Sequence, residues 1–257
     1  SQLKKLAPAD MLAIQLDDRA VLMARWRSLA LELLDGAALQ AQPLRQQVRA
    51  QIEGWSGRAG VDASGYRLVR EFRDRVAASV LRGLTRDCGE PDELRPPPRW
   101  EAPLWAVVSE RPDHLLDAGA DSWREFLLQN LDAVAERTGG SPAAYTWGER
   151  NRLDMAHPLA DALPLIGRWL NMPAVPLPGD HHMPRVQDPD FGASERFAVS
   201  PGREAEGYLH MPGGQSGHPL SPYYRAGHDA WVAGRPTPFL PGPSAHELRL
   251  VPADGPE

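Results

Sequence analysis

The sequence predicts an α+β fold: a mainly helical first part, a Pro- and Gly-rich middle, and a closing strand pair followed by a helix. Three observations predict it. Before residue 140, apolar residues recur every three or four positions in several long windows, the spacing of one helix face. After Gly139-Gly140 that period stops, and prolines crowd between Pro173 and Pro189 and again from Pro236 onward. Two short runs, 195–199 and 207–211, then flank the turn-like Pro201-Gly202-Arg203-Glu204. The implied division is a helical subdomain over 1–140, a Pro-rich connecting segment over 141–192, and strands, a glycine loop and a helix over 193–257.

Each element has its own signal. Pro8 suits a first helical position, and Asp10 faces the positive end of that helix. Met11, Leu12, Leu16, Met23, Trp26, Leu29 and Leu33 make one stripe, which Gly36 can end. A second helix starts near Pro43, carries Leu44, Val48, Ile52 and Trp55, and stops by Gly57. The third is the clearest, with Tyr66, Val69, Phe72, Val76, Val80 and Leu84 in register. A short helix fits Ala102–Glu110, and Asp121 or Ser122 caps a longer one through Trp123, Phe126, Leu127, Leu131 and Val134. Beyond Gly140, residues 144–153 fit an extended segment, and Leu163–Leu170 a helical turn or two interrupted by Pro164. Residues 171–191 read as a long irregular loop, which makes sense if it is pinned against another part of a larger protein. Ser221-Pro222 reads as N-cap and first position of a helix running to Ala233.

Composition excludes some classes of function. A net charge of −6 argues against a nucleic-acid partner, which calls for a basic patch. Cys88 is the single cysteine and has no partner for an internal disulfide. No apolar run approaches the length of a membrane helix.

The stretch Met211-Pro212-Gly213-Gly214-Gln215-Ser216-Gly217-His218-Pro219-Leu220-Ser221-Pro222-Tyr223-Tyr224 resembles the Gly-Gln-Ser-Gly-x-Pro-x-Ser-Pro-x-Tyr segment of the penicillin amidase (penicillin acylase) family. Tyr145-Thr146-Trp147-Gly148-Glu149, His157-Pro158-Leu159 and Asp10 to Asp18 resemble other stretches of it, in the same order. The loop Trp55 to Ala59 is similar to a family Trp-Asp-Gly turn, with Ser56 where Asp is usual. The resemblance implies an N-terminal-nucleophile hydrolase that cleaves linear amides, of which this chain would be the last third or so. It would be the C-terminal part of the β chain, inactive by itself. Its strands and final helix would complete the family's αββα sandwich. The implied partners are the upstream segments of the same precursor (α chain and the N-terminal part of the β chain) and a small N-acyl substrate in the intact enzyme. A periplasmic or secreted parent and a link to antibiotic metabolism follow from the same resemblance. Framework roles are carried over to Trp147, Gly148, Gly214, Gln215, Ser216, Gly217, Pro219, Ser221 and Pro222. No cofactor and no metal is implied for this segment.

No residue here is expected to be catalytic. In the family an exposed N-terminal Ser uses its own amine as base, but Ser1 is followed by Gln2-Leu3-Lys4-Lys5 instead of an Asn-rich, aromatic strand. The family's oxyanion groups and calcium ligands belong to upstream sequence. Ser200 stands where related acylases often carry an acid. His181-His182 beside Asp180 suggests a metal, yet adjacent side chains on an extended segment point apart, so a polar loop is favoured. His157 is expected to satisfy backbone groups in a turn, and Glu195 and Glu204 to lie on the surface. His218 and Tyr223-Tyr224 depart from the family pattern. Trp26, Trp55, Trp123, Trp147, Trp169 and Trp231 are expected mostly in the core, and Asp17-Asp18-Arg19 in ion pairs. The competing reading is a non-catalytic helical scaffold or interaction module.

Overall fold

The computed structural model describes residues 5–85, 99–116, 119–160, 162, 167, 169 and 170, and 171–252. Ser1, Cys88, Pro96–Pro98 and residues 163–166, all singled out by the sequence, lie outside the described residues. The chain forms two units, one of residues 16–193 and one of residues 1–15 with 194–257. Mostly helical, with a two-stranded antiparallel sheet and a following short helix, it is an α+β protein.

The larger unit is built on α5 (Ser64–Leu84), which buries Tyr66, Leu68, Val69, Phe72, Val76, Ala77 and Val80 at helical spacing. Burying each of its larger apolar side chains contributes about 1.5–3 kcal/mol. Around α5 pack α2 (Met23–Leu33), α4 (Pro43–Gly54) and α7 (Trp123–Arg137), with Trp26 edge-on to Phe72 at 6.0 Å. Ser122 caps α7 by accepting from the Glu125 N–H at 3.2 Å. Pro43 opens α4 at its first position, where a missing N–H costs nothing. α6 (Glu101–Glu110) is tied in by Glu101, whose carboxylate accepts from Trp26 Nε1 at 2.8 Å and from Arg73 at 2.7 Å.

The predicted stripe from Met11 to Leu33 is not one helix. α1 (Pro8–Gln15) ends before α2 begins, and Gly36 starts α3 (Gly36–Ala41) instead of closing a helix. The Asp17 carboxylate turns back onto the Arg19 N–H at 3.0 Å. Residues 18–20 then bridge to 57–59, with Ala20 N–H donating to the Gly57 carbonyl and Ala59 N–H to that of Asp18, both at 2.9 Å. Local turn bonds and a tertiary bridge therefore override the helical period. Asp35 restarts the helix by capping the Ala38 N–H at 2.9 Å. The segment 144–153 is likewise not extended: a 3₁₀ turn at Pro142–Ala144 leads into α8 (Trp147–Arg150).

In the smaller unit β1 (Arg196–Ala198) pairs with β2 (Tyr208–His210), Phe197 opposite Leu209. Thr237 and Phe239 extend this pairing on the far side of β2 through Leu209 N–H to Thr237 O and Phe239 N–H to Gly207 O, both 3.1 Å. α1 is anchored to the hairpin: Gln15 donates to the Phe197 carbonyl at 3.2 Å and accepts from the Tyr208 hydroxyl at 2.8 Å. One sheet face buries Arg196, Tyr208 and His210, whereas Phe197 on the other is 50% exposed. The final helix, α9 (His228–Ala233), starts six residues later than predicted. The Tyr224 carbonyl accepts from Gly214 at 2.9 Å, which removes it from a helical ladder starting at Ser221. Of the six tryptophans expected mostly in the core, five are buried and Trp169 is 49% exposed.

The packing around α5 predicts that Phe72→Ala lowers the unfolding free energy by about 3–5 kcal/mol. Val21→Ala, at a side chain 77% exposed, should change it by less than about 0.5 kcal/mol. Urea denaturation of both variants checks the contrast.

Candidate functional site

The residues singled out by the sequence fall at two places, one in each unit. In the larger unit the polar side of α5 grips the segment around Trp147. Arg67 donates to the Thr146 carbonyl at 3.1 Å and lies 3.5 Å over the Tyr145 ring. The Tyr145 hydroxyl donates to buried Glu71 at 2.9 Å. Trp147 has no exposure, stacks edge-on against Tyr66 at 4.8 Å, and donates its indole N–H to the Gly179 carbonyl at 2.8 Å. Gly148 N–H donates to the Val61 carbonyl at 2.7 Å. A Cβ there would sit 2.5 Å from Val61 Cγ1 and 2.9 Å from Pro176 Cβ, so the turn admits only glycine.

Next to it lies Asp180, with 0% exposure. Its carboxylate accepts from the Tyr66 hydroxyl at 2.5 Å, Arg70 Nε at 2.7 Å and the His181 N–H at 2.6 Å. Burial by itself would raise its pKa. The Arg70 charge, the Tyr66 hydroxyl and the His181 N–H outweigh that and hold it below the usual carboxylate range. Burial and the facing Asp180 push the Tyr66 hydroxyl up, so it stays a donor. The 171–191 loop is thus pinned to its own unit by Asp180, Gly179 and Asn151. Asn151 donates to the Leu177 carbonyl at 2.9 Å. The reading of a polar loop does not foresee the buried Asp180 cluster; His181 is exposed, pairs with Asp188 at 3.0 Å and stacks on Phe191. The available signal was Tyr66 and Arg70, one turn apart along the apolar stripe of α5, since a buried arginine requires a buried acid. Among the described residues no group of three or more His, Cys, Asp or Glu side chains is placed to hold a metal ion. His157 accepts from the Leu159 N–H through Nδ1 at 3.1 Å, inside its own turn.

In the smaller unit the loop after β2 borders a cleft of about 660 Å³ whose walls include Leu209, Met211, Gly214, Gln215, Ser216 and Tyr223. Gly214 closes the loop: a Cβ would overlap the Tyr223 carbonyl. Gly217 has open space around it. The serine oxygens serve the backbone, Ser216 accepting from the His218 N–H and Ser221 from the Tyr223 N–H, each at 3.2 Å. Pro219 is half-buried, and Gln215 and Pro222 are exposed. Neither serine is hydrogen-bonded to a histidine ring or a carboxylate among the described residues, so neither is activated as a nucleophile. Ser200 lies in the hairpin turn, its carbonyl accepting from Arg203 at 2.9 Å. Glu195 is exposed and Glu204 caps the Gly202 N–H at 2.7 Å.

Behind the loop stand two histidines that no sequence motif marks. His210 is 1% exposed with Nε2 against the Arg235 carbonyl, and His228 is 2% exposed with Nδ1 2.7 Å from the Pro212 carbonyl. The other ring nitrogen of each is buried without a partner among the described residues. Burial, aided by the nearby Arg196 charge, moves the His210 pKa down, and the Arg235 carbonyl only partly opposes it.

Gly214→Ala should cost about 1–3 kcal/mol, and Gly217→Ala less than about 0.5 kcal/mol, in paired thermal melts. For His210 the folded pKa lies below the unfolded value near 6.5. The unfolded chain therefore takes the proton first, and stability falls as pH drops below about 6.5. The slope of unfolding free energy against pH between about 6.5 and 5 should be shallower in His210→Gln; an unchanged slope excludes His210 as its source.

The sequence model of the penicillin amidase family matches residues 1–247. Penicillin acylase 2 proenzyme of Pseudomonas sp. (strain SE83) is 26% identical over 249 residues, covering 89% of this chain and 31% of the relative. The chain thus spans under a third of that relative's length. With the Tyr145–Glu149 and Gly213–Gly217 motifs inside the matched span, the chain belongs to the penicillin amidase family.

Proposed function

We propose that this chain is one part of a penicillin acylase-like amidohydrolase, contributing framework and not the nucleophile. The whole enzyme would cleave a linear amide, releasing an acyl acid and an amine, with the acyl side chain of a β-lactam or a related N-acyl compound as substrate class. Residues 1–140 would wall the acyl pocket, 141–192 connect, and 193–257 add the hairpin, the glycine loop and α9 to an αββα sandwich of the N-terminal-nucleophile type. The α chain and the N-terminal part of the β chain would supply the catalytic serine and the oxyanion donors. The observation that carries this reading is the family match over 1–247, together with an alignment that covers only 31% of the proenzyme relative. The bonding of Ser216 and Ser221 supports it, because both oxygens are used as local backbone acceptors.

The test compares this chain with the full product of its reading frame on a chromogenic phenylacetyl anilide. The isolated chain should show no turnover above background, since losing a nucleophile costs several orders of magnitude. The full product should hydrolyse the anilide. Turnover by the isolated chain that disappears in Ser1→Ala would overturn the proposal, and a full product without amidase activity would favour the scaffold reading.

A further inference from the structure

Residues 241–252 make no hydrogen bond to any other described residue, and every one of them is exposed. A tail in that state is ordinarily polar. This one carries Glu247-Leu248-Arg249-Leu250-Val251, with Leu248 85%, Leu250 86% and Val251 69% exposed. Leu248 and Leu250 share one face of an extended chain, while Glu247 and Arg249 share the other. That is the pattern of a half-buried strand, and at about 3.3 Å per residue its five residues span some 17 Å, a usual strand length. Pro236, Pro238, Pro241 and Pro243 precede it and stiffen its tether.

We propose that Glu247–Val251 is a β-strand that adds to the free sheet edge of a partner polypeptide outside residues 1–257, its Leu248 and Leu250 entering apolar pockets beside that edge. Such strand addition draws affinity from main-chain bonds and specificity from alternate side chains. The outer edge of this chain's own β2 is paired, and the edge of β1 is blocked at one carbonyl. Thr237 and Phe239 bond the outer side of β2, and Gln15 occupies the outward Phe197 carbonyl of β1. From Phe239 the proline-rich tether reaches up to about 25 Å at 3.1 Å per residue, beyond the roughly 10 Å width of two strands. The proposal rests on the reading above in one respect: the partner is the remainder of the hydrolase.

Hydrogen exchange of 247–251, read in the isolated chain and in the full product of its reading frame, tests it. In the isolated chain these amides should exchange at the rate of an unstructured peptide, and in the full product at least about 100-fold more slowly. The double variant Leu248→Asp/Leu250→Asp should abolish that protection. It should leave the melting temperature of the isolated chain unchanged, because Leu248 and Leu250 are exposed there. Protection within an isolated monomer would assign the strand to its own β1 edge and overturn the proposal. A dimer of the isolated chain that the double variant dissolves would assign it to a second copy, with the same result. A full product that hydrolyses the anilide yet leaves 247–251 unprotected would overturn the strand addition and keep the function. A full product with neither property would overturn both.

Discussion

Asp180 is a carboxylate with no solvent exposure, and the larger unit is arranged so that it can exist. A buried charge requires an opposite charge and well-aimed donors. Arg70 supplies the charge, Tyr66 and the His181 N–H the donors. Arg70 and Tyr66 lie one turn apart on α5, so the acid fixes where the Pro-rich segment meets that helix. Gly179, one residue before, then presents its carbonyl to Trp147, and Asn151 reaches the Leu177 carbonyl. A loop of this length without strands or helices would otherwise lack partners for its backbone.

How much of this was legible in the sequence depended on which bonds decide each element. α4, α5 and α7 are set by apolar spacing and end signals, and Pro43, Ser122 and Gly139-Gly140 mark their ends as expected. The break between α1 and α2 was not legible, because it depends on a bridge between residues 18–20 and 57–59. The late start of α9 is of the same kind, set by the bond between Gly214 and Tyr224. Asp180 reads, together with its histidine neighbours, as a polar loop. Its partner lies 110 positions away, and no local pattern reports that distance.

The candidate site was legible as motif and illegible as geometry. Gly148 and Gly214 prove to be places where another backbone or side chain comes too close for a Cβ, which explains why glycine stands there. The serines beside Gly214 resemble chemistry by type but spend their oxygens on neighbouring N–H groups. His210 and His228 carry no motif, yet their buried rings hold the Arg235 and Pro212 carbonyls behind the loop. In this chain Gly148, Gly214, Ser216 and Ser221 thus shape the backbone around them.

If the Asp180 carboxylate pins the Pro-rich segment onto α5, removing its charge must loosen that segment first. Native-state hydrogen exchange of residues 177–187 in Asp180→Asn and the wild type reads this out. The amides of 177–187 should open in the variant well before those of Tyr66 to Val80, which keep their apolar cover. Exchange of 177–187 unchanged by the substitution would contradict the pinning.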